Sequence, residues 1–311
     1  MTGACRSNAG ARGYPGGELS VQWRRLRPRR VTMRSCLLLL LPTCLILSPA
    51  TAAEAGRAAG SAIATPAKQA LLVEYPSFRT LLAKNAGDRM RPSSMTKLMT
   101  ALLVFEALRS GALSAEARIA VSSHAAGQRG SRVGLKQGGR YRVRGLVRAT
   151  IVYSANDATV ALAERLAGSE KAFAAAMTRR ARQLGLRDTG FRNATGFTAP
   201  GHLTSARDIA RLAGEIVARF PARYRLFALR SVQFGGKTWR NRNPVLGRVA
   251  GADGLKTGQT RAGGYGLVAS AKRGGRRLIL VINGLKSAAG RQREAVRLLR
   301  WGFRQPAGAG Q

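Results

Sequence analysis

Residues 264–285 read GYGLVASAKRGGRRLILVINGL. Two apolar runs, 264–271 and 278–285, flank the pair Gly274-Gly275. A two-residue glycine connection supplies the positive φ angles of a tight turn, so the stretch is predicted to be an antiparallel hairpin. Two further strands are expected far upstream, at 70–74 (ALLVE) and 79–83 (RTLLA), around Tyr75-Pro76-Ser77. Helical spacing fills the middle. Pro92 precedes an apolar-periodic run from Met95 to Leu108 that Gly111 should stop. Further helices are expected at about 146–153, 158–167 and 170–184. Ser205 and Asp208 form a capping pair for a helix ending near Phe220, before Pro221. The last helix should cover about 291–304. Residues 112–143 and 185–203 read as loops and short strands. The order of strands, helices, strands and helix predicts an α+β protein. Its antiparallel sheet takes strands from both ends of the chain, is flanked by helices, and accepts an inserted all-helical lobe.

The chain has 311 residues, with 53 Lys+Arg against 14 Asp+Glu, a net charge of +39 and a pI near 11.9. Hydrophobic residues make up 45%, enough for a core, which excludes a disordered polybasic tail. Only one long apolar run exists, which excludes a polytopic membrane protein. The charge points to an anionic partner such as membrane or wall polymer. Residues 37–47, LLLLLPTCLIL, follow Arg34 and precede Ala50-Thr51-Ala52. This is the pattern of a secretory signal peptide, cleaved after Ala52 or Ala53, on a protein exported to the periplasm or cell envelope. Met33 offers an alternative start, so 1–32 of the 1–52 leader reads either as a mis-called beginning or, with Arg24-Arg25 and Arg29-Arg30, as an extended basic region or twin-arginine export signal. Residues 53–67 read as a linker and 305–311 as a disordered tail. Cys5, Cys36 and Cys44, the only cysteines, all fall in the leader, so the remainder carries no thiol for a disulfide, nucleophile or metal.

Three short segments carry chemistry. In Ser94-Met95-Thr96-Lys97 a serine lies in the first helical turn, with a lysine three residues on along the same face. The helix N-terminus offers free N–H groups to an oxyanion, and the lysine serves as base if its amine is neutral. In Ser154-Ala155-Asn156, a turn between two apolar helices aims a hydroxyl and an amide at one cleft. Lys256-Thr257-Gly258 follows the turn Asp253-Gly254 and leads toward the strand at Gly264. It offers a cation, a hydroxyl and a close backbone approach. Taken singly, each segment also reads as a helix cap or an ordinary turn. His124 and His202 are the only histidines, too few for a zinc site. No phosphate loop is present. No cofactor or metal is expected, and nucleic acid is not among the expected partners.

Taken in order, the three segments resemble the penicillin-recognising serine enzymes. The wider text is similar to the low-molecular-weight D-alanyl-D-alanine carboxypeptidases: RPSSMTKLMTALLVFEAL, VYSANDATVALAERLAG, LGLRDTGFRNATGF, GHLTSARDIARLA and ADGLKTGQTRAGGYGLVASAKR. The resemblance covers a catalytic domain at 68–304 and implies a β-lactamase/transpeptidase-like fold. It implies that Ser94 attacks the penultimate D-Ala carbonyl of a peptidoglycan stem peptide and that Lys97 takes its proton. Ser154 and Lys256 would pass a proton to the leaving amine, and Asn156 would hold the acyl side. The backbone N–H groups of Ser94 and Gln259 would form the oxyanion hole, with Gln259 replacing a residue that is often His, Tyr or Thr. Thr257, Arg291 and, less directly, Arg242 would meet the substrate's carboxylate, and Gly258 would let substrate approach the backbone. β-Lactams are the implied covalent inhibitors. The C-terminal β domain of many relatives has no counterpart after Trp301-Gly302-Phe303. Two rivals share these features: a serine β-lactamase, and a non-catalytic basic protein of the envelope. One β-lactamase class needs a Glu-bearing loop after Ser-x-Asn, and Arg187–Leu203 contains no Glu.

Overall fold

The computed structural model describes residues 63–308. The leader with its cysteines, its cleavage site and most of the 53–67 linker lie outside that range. Strands β1 (Gln69–Tyr75) and β2 (Thr80–Lys84) come first. A 3-10 turn, Ser93–Thr96, runs into α1 (Lys97–Ser110), which stops at Gly111 in the left-handed region, φ 80°. Then come β3 (Arg118–Ala120), α2 (Ser123–Ala126) and β4 (Arg140–Arg142). Helix α3 (Val143–Arg148) continues through a π turn, Ala149–Tyr153, to α4 (Asn156–Ala167) and α5 (Glu170–Gln183). Helices α6 (Ala206–Arg219) and α7 (Pro221–Tyr224) precede β5 (Ser231–Phe234) and β6 (Lys237–Arg240). The chain returns to the main sheet as β7 (Ala252–Thr260), β8 (Gly264–Arg273) and β9 (Arg276–Leu285), and closes with α8 (Ala288–Arg304).

The five-stranded sheet has the order β2-β1-β9-β8-β7 and is antiparallel throughout. Gly274 and Gly275 have φ of 49° and 81°, as the hairpin reading requires. Central β9 pairs with β1 from Gln69↔Asn283 to Tyr75↔Arg277, which joins the two ends of the chain. Strand alternation then sorts the core. Leu71, Val73, Val268, Ile279 and Val281 face the helical lobe, with Leu98, Leu102 and Ile209. Ala70, Leu72, Leu267, Ala269, Leu278, Leu280 and Ile282 face α8, where Ala295, Leu298 and Leu299 cover them. The apolar stripe of α8 is therefore occupied by the sheet, and Trp301 and Phe303 pack partly against the same cluster. The side chain of Ser205 accepts from Asp208 N at 3.2 Å and caps α6 as expected. Among the described residues no helix is long and apolar enough to cross a membrane.

Three expectations change. Lys256-Thr257-Gly258 is not a turn leading to a strand but the middle of β7 itself. ADGLKTGQT has two glycines and no aliphatic alternation, so its strand character comes from pairing with β8. The supposed turn at Asp253-Gly254 is a register shift within that pairing. Strands β5 and β6, a polar two-stranded ribbon, carried no pattern that marked them. The first part of the tail is also held. The Pro306 and Gln305 carbonyls accept from Arg79 and Arg276 at 2.6 and 2.8 Å, and Gly308 N donates to buried Glu74 at 3.3 Å.

Candidate active site

Ser94 and Lys97 stand three residues apart across the 3-10 turn and the head of α1. Side chains three apart eclipse in a 3-10 turn, which brings Lys97 Nζ within 3.1 Å of Ser94 Oγ. Lys97 Nζ also donates to Asn156 Oδ1 at 2.8 Å and to the Thr195 carbonyl at 2.6 Å. The side chain is 1% exposed. Burial pushes its pKa down to about 7; Arg242 adds to the effect and Glu170 opposes it.

The partners of Lys97 are themselves fixed. Ser154 ends the π turn in the left-handed region, φ 71°, and its buried Oγ has no hydrogen-bond partner among the described residues. Asn156, the first residue of α4, donates from Nδ2 to Arg129 O at 2.7 Å, which orients its Oδ1 toward Lys97. The next residue, Asp157, is fully buried and accepts from Val133, Gly134 and Leu135 N. That carboxylate holds down the loop whose Gly130 and Ser131 border the cleft. Thr195 is held by Asn193, whose Oδ1 accepts from Thr195 Oγ1, Gly196 N and Phe197 N.

Strand β7 brings the other wall. Lys256 is buried and its pKa is pushed well down by burial, then by Lys97, Arg242 and Arg291. Its Nζ donates to Thr257 O at 3.3 Å. Arg242 lies over the Tyr153 ring at 4.4 Å and donates to Ser131 Oγ at 2.6 Å. Arg291, in the first turn of α8, reaches Gly258 O at 3.5 Å and lies 5.7 Å from the Tyr265 ring centre. Neither guanidinium is paired with a carboxylate among the described residues.

Eight of the ten residues singled out in the sequence line one cleft of about 250 Å³: Ser94, Ser154, Asn156, Arg242, Thr257, Gly258, Gln259 and Arg291. Lys97 and Lys256 stand behind that lining, buried. Sequence reasoning missed Thr195, which acts through a main-chain carbonyl and so leaves no side-chain signal. It also missed Phe197, Ser131 and Thr260 on the lining. The Asn193-x-x-Gly196 spacing was the one available hint of a side-chain-clamped turn there. Tautomer and partner settle His202. Its Nδ1 accepts from Arg192 N at 3.2 Å, so Nε2 carries the hydrogen that faces Thr96 Oγ1 at 2.9 Å. Burial lowers its pKa to about 4, and the ring is a neutral support beneath the Ser93–Thr96 turn.

An antiparallel sheet with a helical lobe, and a serine sharing a hydrogen bond with a buried lysine at their junction, define an active-serine enzyme of the transpeptidase type. The comparisons give the same fold and narrow the class. The family model for D-alanyl-D-alanine carboxypeptidase (peptidase S11) matches residues 55–287, and the chain belongs to that family. It is 36% identical over 267 residues to the D-alanyl-D-alanine carboxypeptidase DacF of Bacillus subtilis, covering 84% of this chain and 68% of the relative. It is 40% identical over 263 residues to DacD of Salmonella typhimurium, covering 82% and 67%. The chain thus spans about two thirds of the length of these relatives. The solved structure of penicillin-binding protein 6B from Escherichia coli matches with a TM-score of 0.74 and 38% identity, covering 78% of each chain. Penicillin-binding protein D2 from Listeria monocytogenes, in its cefotaxime-bound form, matches with a TM-score of 0.72 and 29% identity, covering 78% of this chain and 99% of that one.

Proposed function

We propose that this chain is a serine D-Ala-D-Ala carboxypeptidase that removes the terminal D-alanine from peptidoglycan stem peptides through an acyl-enzyme on Ser94. The observation that carries the reading is the set of three partners around Lys97 Nζ. As an ammonium, Lys97 satisfies all three with its three hydrogens. Losing one proton leaves two N–H donors and one lone pair. Asn156 Oδ1 and the Thr195 carbonyl can only accept, so both keep a donor. The lone pair therefore falls to Ser94, the one partner whose hydroxyl can donate. Deprotonation thus converts the arrangement into a serine–base pair without moving a heavy atom.

Attack by Ser94 Oγ on the penultimate carbonyl forms the C–O bond as the hydroxyl proton passes to Lys97. The oxyanion is met by Ser94 N–H, free in the first turn of its helix, and by Gln259 N–H. Strand geometry supports the second donor. Thr257 turns its carbonyl toward Lys256 Nζ, and Gln259, two residues on, presents its N–H along the same edge of β7. When the tetrahedral adduct collapses, the C–N bond breaks and the amine takes a proton from the Ser154–Lys256 side. Water then cleaves the ester and regenerates Ser94. Thr257, Arg291 and Arg242 meet the departing carboxylate; the two arginines bring uncompensated charge to the cleft. β-Lactams acylate the same serine and stay bound as esters. Export to the envelope fits this substrate. The net charge left after residue 52, +32, favours contact with anionic membrane or wall polymer, an attraction that salt screens.

The test is Ser94→Ala. Fluorescent penicillin labelling and D-Ala release from a D-Ala-D-Ala tripeptide should both vanish while the fold persists. Labelling that survives the substitution defeats the serine mechanism. Rapid turnover of a chromogenic β-lactam by the unmodified protein, without D-Ala release, would favour a β-lactamase instead.

A further inference from the structure

The residue before the nucleophile is unusual. Ser93 has φ 49°, in the left-handed region that disfavours a side chain with a β-carbon, yet it is 1% exposed and buried in the junction between the lobe and the sheet. Glycines from three segments close on it. A Cβ on Gly196 would lie 1.9 Å from Ser93 O. One on Gly258 would lie 2.9 Å from Pro92 O and 3.2 Å from Ser93 Cβ, and one on Gly263 would lie 2.9 Å from Ser93 Oγ. Ser93 Oγ shares a hydrogen bond of 3.0 Å with Thr260 Oγ1, which also accepts from Gly263 N at 2.9 Å. Among the described residues this is the one side-chain hydrogen bond joining the nucleophile turn to β7.

Its position in the chain gives it a consequence. The two oxyanion donors lie on separate elements, Ser94 N on the 3-10 turn and Gln259 N on β7. Ser93 immediately precedes the first, and Thr260 immediately follows the second. The Ser93–Thr260 bond therefore brackets the oxyanion hole. We propose that Ser93 and Thr260 are a positioning pair that sets the separation of the two oxyanion donors, an inference that rests on Ser94 being the nucleophile. Neither hydroxyl takes part in bond making. Ser93 does not line the cleft, so its loss removes no direct contact with substrate.

The donors act on charge that develops only in the transition state, so the pair should affect acylation and spare the preceding encounter. Time-resolved reaction with a fluorescent penicillin separates noncovalent affinity from the acylation rate constant. Ser93→Ala and Thr260→Val should each lower that rate constant on the order of 10-fold to 100-fold, the cost of misplacing a reacting group by a fraction of an ångström to an ångström. Noncovalent affinity should not change in the Ser93 variant, whose side chain lies outside the cleft lining. The double variant should be no slower than the slower single, because both remove the same bond. Thr260→Ser keeps the hydroxyl and should restore the rate. Ser93→Gly accepts the backbone angle without strain and removes the hydroxyl, so it carries the test if Ser93→Ala does not fold. Wild-type acylation in the Ser93 variant, losses that multiply in the double, or no rescue by Thr260→Ser would each overturn the proposal. Failure of the unmodified chain to acylate at Ser94 would overturn the nucleophile assignment first, and the positioning role with it.

Discussion

Lys97 and Lys256 reach the cleft from different walls, one at the head of α1 and the other in β7. Both are buried, and burial is the main cause that lowers the pKa of each. Their surroundings differ. Lys97 has three acceptors within 3.1 Å, from three segments. Lys256 has one, the carbonyl of its own neighbour at 3.3 Å. Among the charges that act on them, Lys256 meets only cations, Lys97, Arg242 and Arg291, whereas Lys97 also feels the Glu170 carboxylate. A lysine held by three partners has one geometry, as the proposed base needs. A lysine with a single weak partner keeps donors free for an incoming group, as suits a residue that meets substrate or passes on a proton. Identical side chains thus differ by wiring rather than by type, and the roles proposed for them follow that difference.

The sharpest way to break this division is Lys97→Met. Acylation of Ser94 should fall by roughly 10²–10⁴-fold, the worth of a positioned general base, with substrate binding less affected. Lys256→Met removes a donor but leaves the Ser94–Lys97 pair intact. A smaller loss of roughly 10²-fold is expected, in the range of one electrostatic stabiliser. If the order of these two losses reverses under penicillin acylation kinetics, the roles assigned to the two lysines are exchanged.

pH offers a finer test. Only neutral Lys97 can take the serine proton, and its pKa is lowered to about 7. The acylation rate should therefore climb as pH rises through about 7 and level off above it. Glu170 stabilises the ammonium form, so Glu170→Gln should move that limb to lower pH. Glutamine keeps an acceptor for Ala194 N, which the Glu170 carboxylate now holds at 2.9 Å, so the Thr195 loop should stay in place. A limb that moves to higher pH, or does not move, would show that Glu170 does not act on Lys97 through charge. This is the smallest of the three effects and is read as a displacement of the profile, not a loss of rate.

Much of the fold was legible because it rests on local rules. The Gly274-Gly275 turn, the apolar runs of β8 and β9, the Ser205 cap and the Gly111 stop each need only near neighbours. β7 was not legible, since its residues lack strand preference and become a strand by pairing with β8. The same split runs through the site. The side chains of the three motifs were readable in order, whereas the Thr195 carbonyl was not, because any residue type has one.

Which chemical groups are present, and in what order, can be read along the chain, as can strands at both ends around a helical middle. The burial of Lys97, with its pKa near neutrality, and the left-handed backbone of Ser154 and Ser93 arise from packing. The packed fold also joins the Ser93–Thr96 turn to β7 through Ser93 and Thr260, 167 positions apart. The physical reason is that desolvation, strain and long-range hydrogen bonds belong to the surroundings of a residue, and those surroundings exist only once distant segments have packed together.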